Sequence, residues 1–151
     1  MKRNSQKIVR YIAILTFSFT IALNFAFANY AFKKKIKSVC SSYRVSVDAS
    51  AMDFDNDLFS LTLESNRNNF EMVMLVGFAS AGQAIAHQKE MNLSNAYIPL
   101  MVSLNVAVPA SRDEYNIFSA SCSSEMAISL ADGRMDSSEF MQEIMKNIKI
   151  Q

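Results

Sequence analysis

The stretch FEMVMLVGFASAGQAIAHQKEM, Phe70–Met91, decides how the rest of the chain is read. Phe70, Val73, Met74, Gly77, Phe78, Ala81 and Ile85 recur at the three- and four-residue spacing of one helix face. Asn68, with Glu71 three residues on, offers an N-cap and its reciprocal partner. The spacing predicts a helix from Phe70 to about Met91. A glycine inside a helix costs about 1 kcal/mol relative to alanine. Gly77 and Gly82, among Ala79, Ser80, Ala81, Ala84 and Ala86, therefore predict close packing against a sheet or another helix.

On either side of this helix the period changes to two. Leu58–Glu64, LFSLTLE, sets Phe59, Leu61 and Leu63 against Ser60, Thr62 and Glu64, the pattern of a half-buried strand. Residues 43–49, YRVSVDA, alternate in the same way, so a strand is expected there too. The polar connection SAMDFDND would then join the two as a hairpin. After the helix, residues 97–108 alternate Val102, Leu104, Val106 and Val108 against Ser103, Asn105 and Ala107. Pro99 marks an edge or a strand entrance. PASRDE is a turn, and residues 115–122 form a fourth strand. The C-terminal part reads as helices over about 123–131 and 137–148, split by DGRMD. Gly133 ends the first in a left-handed conformation, and Asp136 with Glu139 starts the second. Phe140, Ile144 and Ile148 then mark a core-facing stripe. The expected order is ββαββα(α). It describes a single α+β domain over residues 43–150, an antiparallel sheet with a long central helix and a C-terminal helical pair packed on it.

Residues 1–28 read as a secretory signal peptide. Lys2, Arg3, Lys7 and Arg10 precede the apolar run YIAILTFSFTIALNFAFA, which ends in the small-residue cleavage pattern AFA. The alternative is an uncleaved anchor over residues 11–32, whose 22 uncharged residues are long enough to span a bilayer. Four basic residues flank the run on each side, so charge bias does not orient it. Residues 29–42 are expected as a basic N-terminal arm. Lys33, Lys34, Lys35 and Lys37 would meet lipid headgroups if the chain is anchored. The expected location is periplasmic or secreted, with an inner-membrane anchor as the alternative.

The chain has 151 residues and a formal charge of +1, which hides an asymmetry. Four of the fifteen basic residues precede residue 28. Without them eleven basic residues face fourteen acidic ones, a charge near −3. Without the four lysines of KKKIK as well, residues 38–151 carry a charge near −7. Such a domain has no electrostatic footprint for nucleic acid. Cys40 and Cys122 are the only cysteines. In an oxidising compartment an even pair predicts one disulfide. The ten methionines fill a core or serve an adaptable surface.

Two motifs carry a hint of chemistry. Asp53, Asp55, Asp57 and Glu64 stand at positions 1, 3, 5 and 12 of a twelve-residue window, the ligand spacing of a calcium loop. That loop needs glycine at its sixth position, where this chain has Leu58, and a helix before it. The window therefore reads as a hairpin turn with solvated carboxylates, and the four acids as a weak metal candidate. DGRMDSSEF repeats the latter half of such a loop, but Ile128 and Leu130 stand where ligands belong. His87 is the single histidine, with no nucleophile elbow and no second metal ligand in sequence.

These readings exclude no enzyme outright but supply no catalytic constellation and imply no cofactor. The expected function is that of a small exported domain that binds a protein or another envelope component. The surface would be a sheet edge or a groove beside the C-terminal helices. One alternative is a membrane-anchored accessory subunit of an envelope complex. Another is a small hydrolase using His87.

Overall fold

The structure is a computed structural model and describes residues 29–92, 95–111 and 114–151. The signal-peptide reading of residues 1–28 lies outside the described residues, as does the anchor reading of residues 11–32 up to residue 28.

Residues 29–42 form the first helix, α1. Phe32, Ile36, Val39 and Cys40 fall at helical spacing, and all four are buried. Lys33, Lys34, Lys35 and Lys37 occupy the remaining faces, half-buried or exposed. The Lys33 ammonium lies 5.1 Å from the centre of the Phe54 ring. The expected solvated arm is thus a helix with one face in the core. Its apolar stripe was present in the sequence, interleaved with the lysines.

A turn at Arg44 ends α1, and the chain runs on through residues 45–48. Asp48 caps a short 3-10 turn, Ala49–Ala51. The sheet begins with β1, Met52–Phe54, and β2, Leu58–Glu64. These pair antiparallel with Met52 opposite Leu61. The strand expected over 43–49 is therefore not formed. Tyr43 and Ala49 are exposed, and the real strand lies inside the connection read as polar. Only Val45 of the alternating apolar set is fully buried there.

The long helix α2, Phe70–Met91, lies where the spacing placed it. Its N-cap is Asn69, which makes no side-chain cap bond, so the Asn68–Glu71 box is not formed. Asn92 closes the helix in a left-handed conformation. β3, Met101–Ser111, then pairs with β2 in parallel, and β4, Glu114–Ser123, returns antiparallel to β3. The sheet is therefore mixed rather than antiparallel throughout, because α2 carries the chain back to the starting end of β2. α3, Ser124–Ala131, and α4, Ser137–Met145, follow. A two-residue strand, β5 at Lys149–Ile150, pairs with β4 and completes the order β1-β2-β3-β4-β5. The α+β class, the long central helix and the C-terminal helices agree with the sequence reading.

Phe59, Leu61, Leu63, Val102, Leu104, Val106, Ala120 and Cys122 supply the buried face of the sheet. The glycines of α2 let it approach that face closely. A Cβ on Gly77 would lie 2.7 Å from a methyl of Leu104, and one on Gly82 would collide with the backbone carbonyl of Ala127 in α3. On the opposite face, Ser60, Ser103 and Ser121 form one row across the strands, and Thr62, Asn105 and Ser119 form the next. The Ser119 hydroxyl donates to the Asn105 amide oxygen at 2.8 Å.

Candidate functional site

The turn that ends α1 also lines a cleft. Val45 N–H donates to Cys40 C=O at 2.9 Å, and Arg44 N–H donates to Ser41 C=O at 3.0 Å. This pair of bonds closes a helix when the residue between them adopts a left-handed conformation. That residue is Arg44, with φ 60°. Glycine adopts this conformation without strain, whereas a side chain with a Cβ costs on the order of 1 kcal/mol.

Arg44 lines a cleft of about 850 Å³ at one end of the sheet. Asp48, Glu64, Asn66, Asn69 and Tyr115 also line it, with Met72 and Val73 as an apolar wall. The pieces come from the end of α1, the end of β2, the start of α2 and the start of β4. Arg67 Nε donates to the carbonyl of Pro109, another lining residue, at 2.8 Å, which clips the approach to α2 onto β3. Asp48 accepts from the Ser50 N–H and hydroxyl, both at 2.8 Å. Those bonds hold its carboxyl below the usual carboxylate range, with a smaller contribution from Lys37. Among the described residues the Arg44 guanidinium and the Glu64 carboxylate pair neither with each other nor with any other side chain. The cleft thus offers one cation, one committed anion and one uncommitted anion beside an apolar wall.

A smaller groove of about 530 Å³ lies between the start of α2 and α4, lined by Glu71, Ser138, Met141, Gln142, Met145 and Lys146. Of the two C-terminal helices only α4 lines it.

The other sequence candidates do not converge. The Asp53 carboxylate accepts from Phe54 N–H at 3.0 Å, and that of Asp55 from Asn56 N–H at 2.7 Å. Asp57 uses its carbonyl to accept from Leu100 and Met101 N–H, both at 2.9 Å. Glu64 stands six residues beyond Leu58, about 20 Å further along β2 at the strand rise. The calcium-like spacing is therefore spread along a hairpin instead of being wrapped around one point. No cluster of three or more metal-ligating side chains occurs among the described residues. His87 is half-buried near the end of α2 and makes no hydrogen bond or ion pair among the described residues.

Cys40 and Cys122 are both buried and unbonded, so the expected bridge is not formed. Cys40 lies beside Ser80 of α2, and Cys122 beside the Ala127 backbone, which packs on Gly82. Their neighbours thus belong to different helices, α2 for Cys40 and α3 for Cys122. Burial pushes both thiols up, that of Cys122 to about 12.

In comparisons with known proteins, no family model, no curated protein and no solved structure matches the chain.

Proposed function

We propose that this chain is an exported, non-catalytic binding domain, acting in the cell envelope or outside the cell, and that its cleft takes an extended segment of a protein partner. The observation that carries this reading is Arg44. Strained backbone held at a cleft is a recurrent mark of recognition sites. Here the strained residue brings an unpaired guanidinium to a wall that also holds an unpaired carboxylate. Opposite charges, side-chain amides and an apolar strip together suit a polypeptide, which presents all three chemistries. A glycan would call for more stacking surface than the single aromatic residue, Tyr115, provides.

A photoreactive residue in place of Met72, on the cleft wall, tests this in the expressing cells. The same residue in place of Met145, in the smaller groove, is the control. The expected result is an adduct of one defined mass from position 72 alone, lost when Arg44→Glu is added. Equal labelling at both positions, or an adduct indifferent to Arg44, overturns the proposal.

A further inference from the structure

We infer that the partner segment joins the sheet as an added strand, on the edge of β2 that β1 leaves bare inside the cleft. This inference rests on the cleft reading above and states how the segment is held.

β1 is three residues long and pairs only with Phe59, Ser60 and Leu61 of β2. β2 runs on to Glu64. On its other side β2 pairs with β3, Glu64 in register with Ala107, and Ser65 N–H donates to Ala107 C=O at 2.9 Å. In a parallel ladder that bond turns the backbone groups of Leu63 and Ser65 toward β3. Thr62 and Glu64 alternate with them, so their N–H and C=O groups face the opposite edge. A continued β1 would set Ala51 against Thr62. Ala51 N–H goes instead to Asp48 C=O at 3.3 Å, in the turn Ala49–Ala51. No backbone bond joins residues 45–48 to β2 among the described residues. Thr62 C=O and both backbone groups of Glu64 are therefore left open, and both residues line the cleft together with Val45, Ser46 and Asp48.

The neighbouring overhang is closed. β3 extends past β2 from Val108 to Ser111, but Pro109 has no N–H there and its carbonyl is taken by Arg67. The β2 edge has no such guard, and an unguarded edge is a template for another strand. A segment lying in line with β1, antiparallel to β2, gives one residue both Glu64 bonds. That residue shares the open face with the exposed Glu64 side chain. Its two neighbours point to the other face, toward the wall of Met72 and Val73. Asp48 and Glu64 against Arg44 leave the cleft net negative. The segment that fits is a basic residue flanked by apolar ones in extended backbone. Arg44, at the end of α1, can donate to the carbonyls on the outer edge of that segment.

Proline at position 64 separates backbone from side chain. It removes the Glu64 N–H, which bonds nothing in the domain, and spares the ladder to β3. Full-length protein with the photoreactive residue at position 72 is compared in the expressing cells with the same protein carrying Glu64→Pro or Glu64→Ala. Strand addition predicts about a tenfold loss of the adduct in Glu64→Pro. Glu64→Ala keeps the N–H and loses only an exposed charge, so its adduct should fall about threefold or less. Equal adduct in the two variants overturns strand addition and leaves the cleft as a side-chain site. An adduct with the mass of two copies of this chain also overturns it, because the edge then pairs with itself. Absence of any adduct from position 72 removes the cleft reading and the strand with it, so the two failures are distinct. Hydrogen exchange at the Glu64 amide, read in the purified adduct and in the free chain, needs no change at position 64. Slowed exchange in the adduct is the expected result, and unchanged exchange overturns the added strand.

Discussion

Arg44 is the residue at which backbone and function pull in different directions. Its left-handed conformation is one that glycine adopts freely. Arg44→Gly should therefore stabilise the fold by up to about 1 kcal/mol, seen as a melting temperature a few degrees higher. The same change should abolish the cleft adduct. A loss of stability would mean that the side chain holds the turn and that the strain argument fails. This conflict was not legible in the sequence, since nothing about arginine announces a left-handed turn. Gly133 was legible, and it does sit at φ 71° after α3. Asp136 was legible too, and its carboxylate accepts the Ser138 N–H at 2.8 Å. The cysteines were visible only as a pair. Buried and with raised pKa, they hold little thiolate, the form that reacts. Native protein treated with an alkylating agent at neutral pH should gain no label, and unfolded protein without reductant should gain two. A bridged pair would gain none in either state.

At the scale of elements, α1 and α2 show what a one-dimensional pattern conveys. The stripe of α2 needed only local spacing, and its burial follows that spacing from Val73 to Ile85. The stripe of α1 obeyed the same rule but lay between an export pattern and a lysine run, which suggested a solvated arm. Phe32→Ala separates the two readings. Phe32 touches the rings of Phe54, Phe59 and Tyr97, so its loss should cost about 3–5 kcal/mol in chemical unfolding. An arm would show no change. Residues 43–49 misled for the opposite reason. Alternation is a weak signal over seven residues, and it was overridden by the helix-ending turn before it and the Asp48 cap within it. The glycines of α2 give a graded prediction. Gly82→Ala drives a Cβ into the α3 backbone, which cannot yield without moving the helix, and should cost about 1–3 kcal/mol. Gly77→Ala meets the side-chain ends of Leu104 and Leu63, which can rotate, and should cost less. Equal costs would show that α3 adjusts as readily as a leucine.

At the scale of the whole molecule, a helical layer covers one face of a five-stranded sheet and leaves a hydroxyl-rich face open. The class was legible because α2, β2 and β3 each carry a clear period. The cleft was not, because residues 44 to 115 meet there only after the sheet has formed. The same assembly fixes how the fold responds to alkali. Burial raises the Cys122 thiol from 9.0 to about 12. Burial, then Asp55 and Asp53, raise the Tyr97 hydroxyl from 10.0 to about 12. A group whose pKa is higher in the folded state binds its proton more tightly there. Its contribution to stability is complete below the unfolded value and is lost as pH climbs through the folded one. Stability should therefore be level up to about pH 9 and fall between pH 9 and about pH 12. Cys122→Ala should make the lower part of that fall shallower, and the parts due to Cys40 and Tyr97 should remain. Melting temperature followed from pH 7 to pH 11 reads both parts. A fall that begins at the same pH with the same slope in the variant would remove Cys122 as its cause and leave the alkaline response to Cys40 and Tyr97.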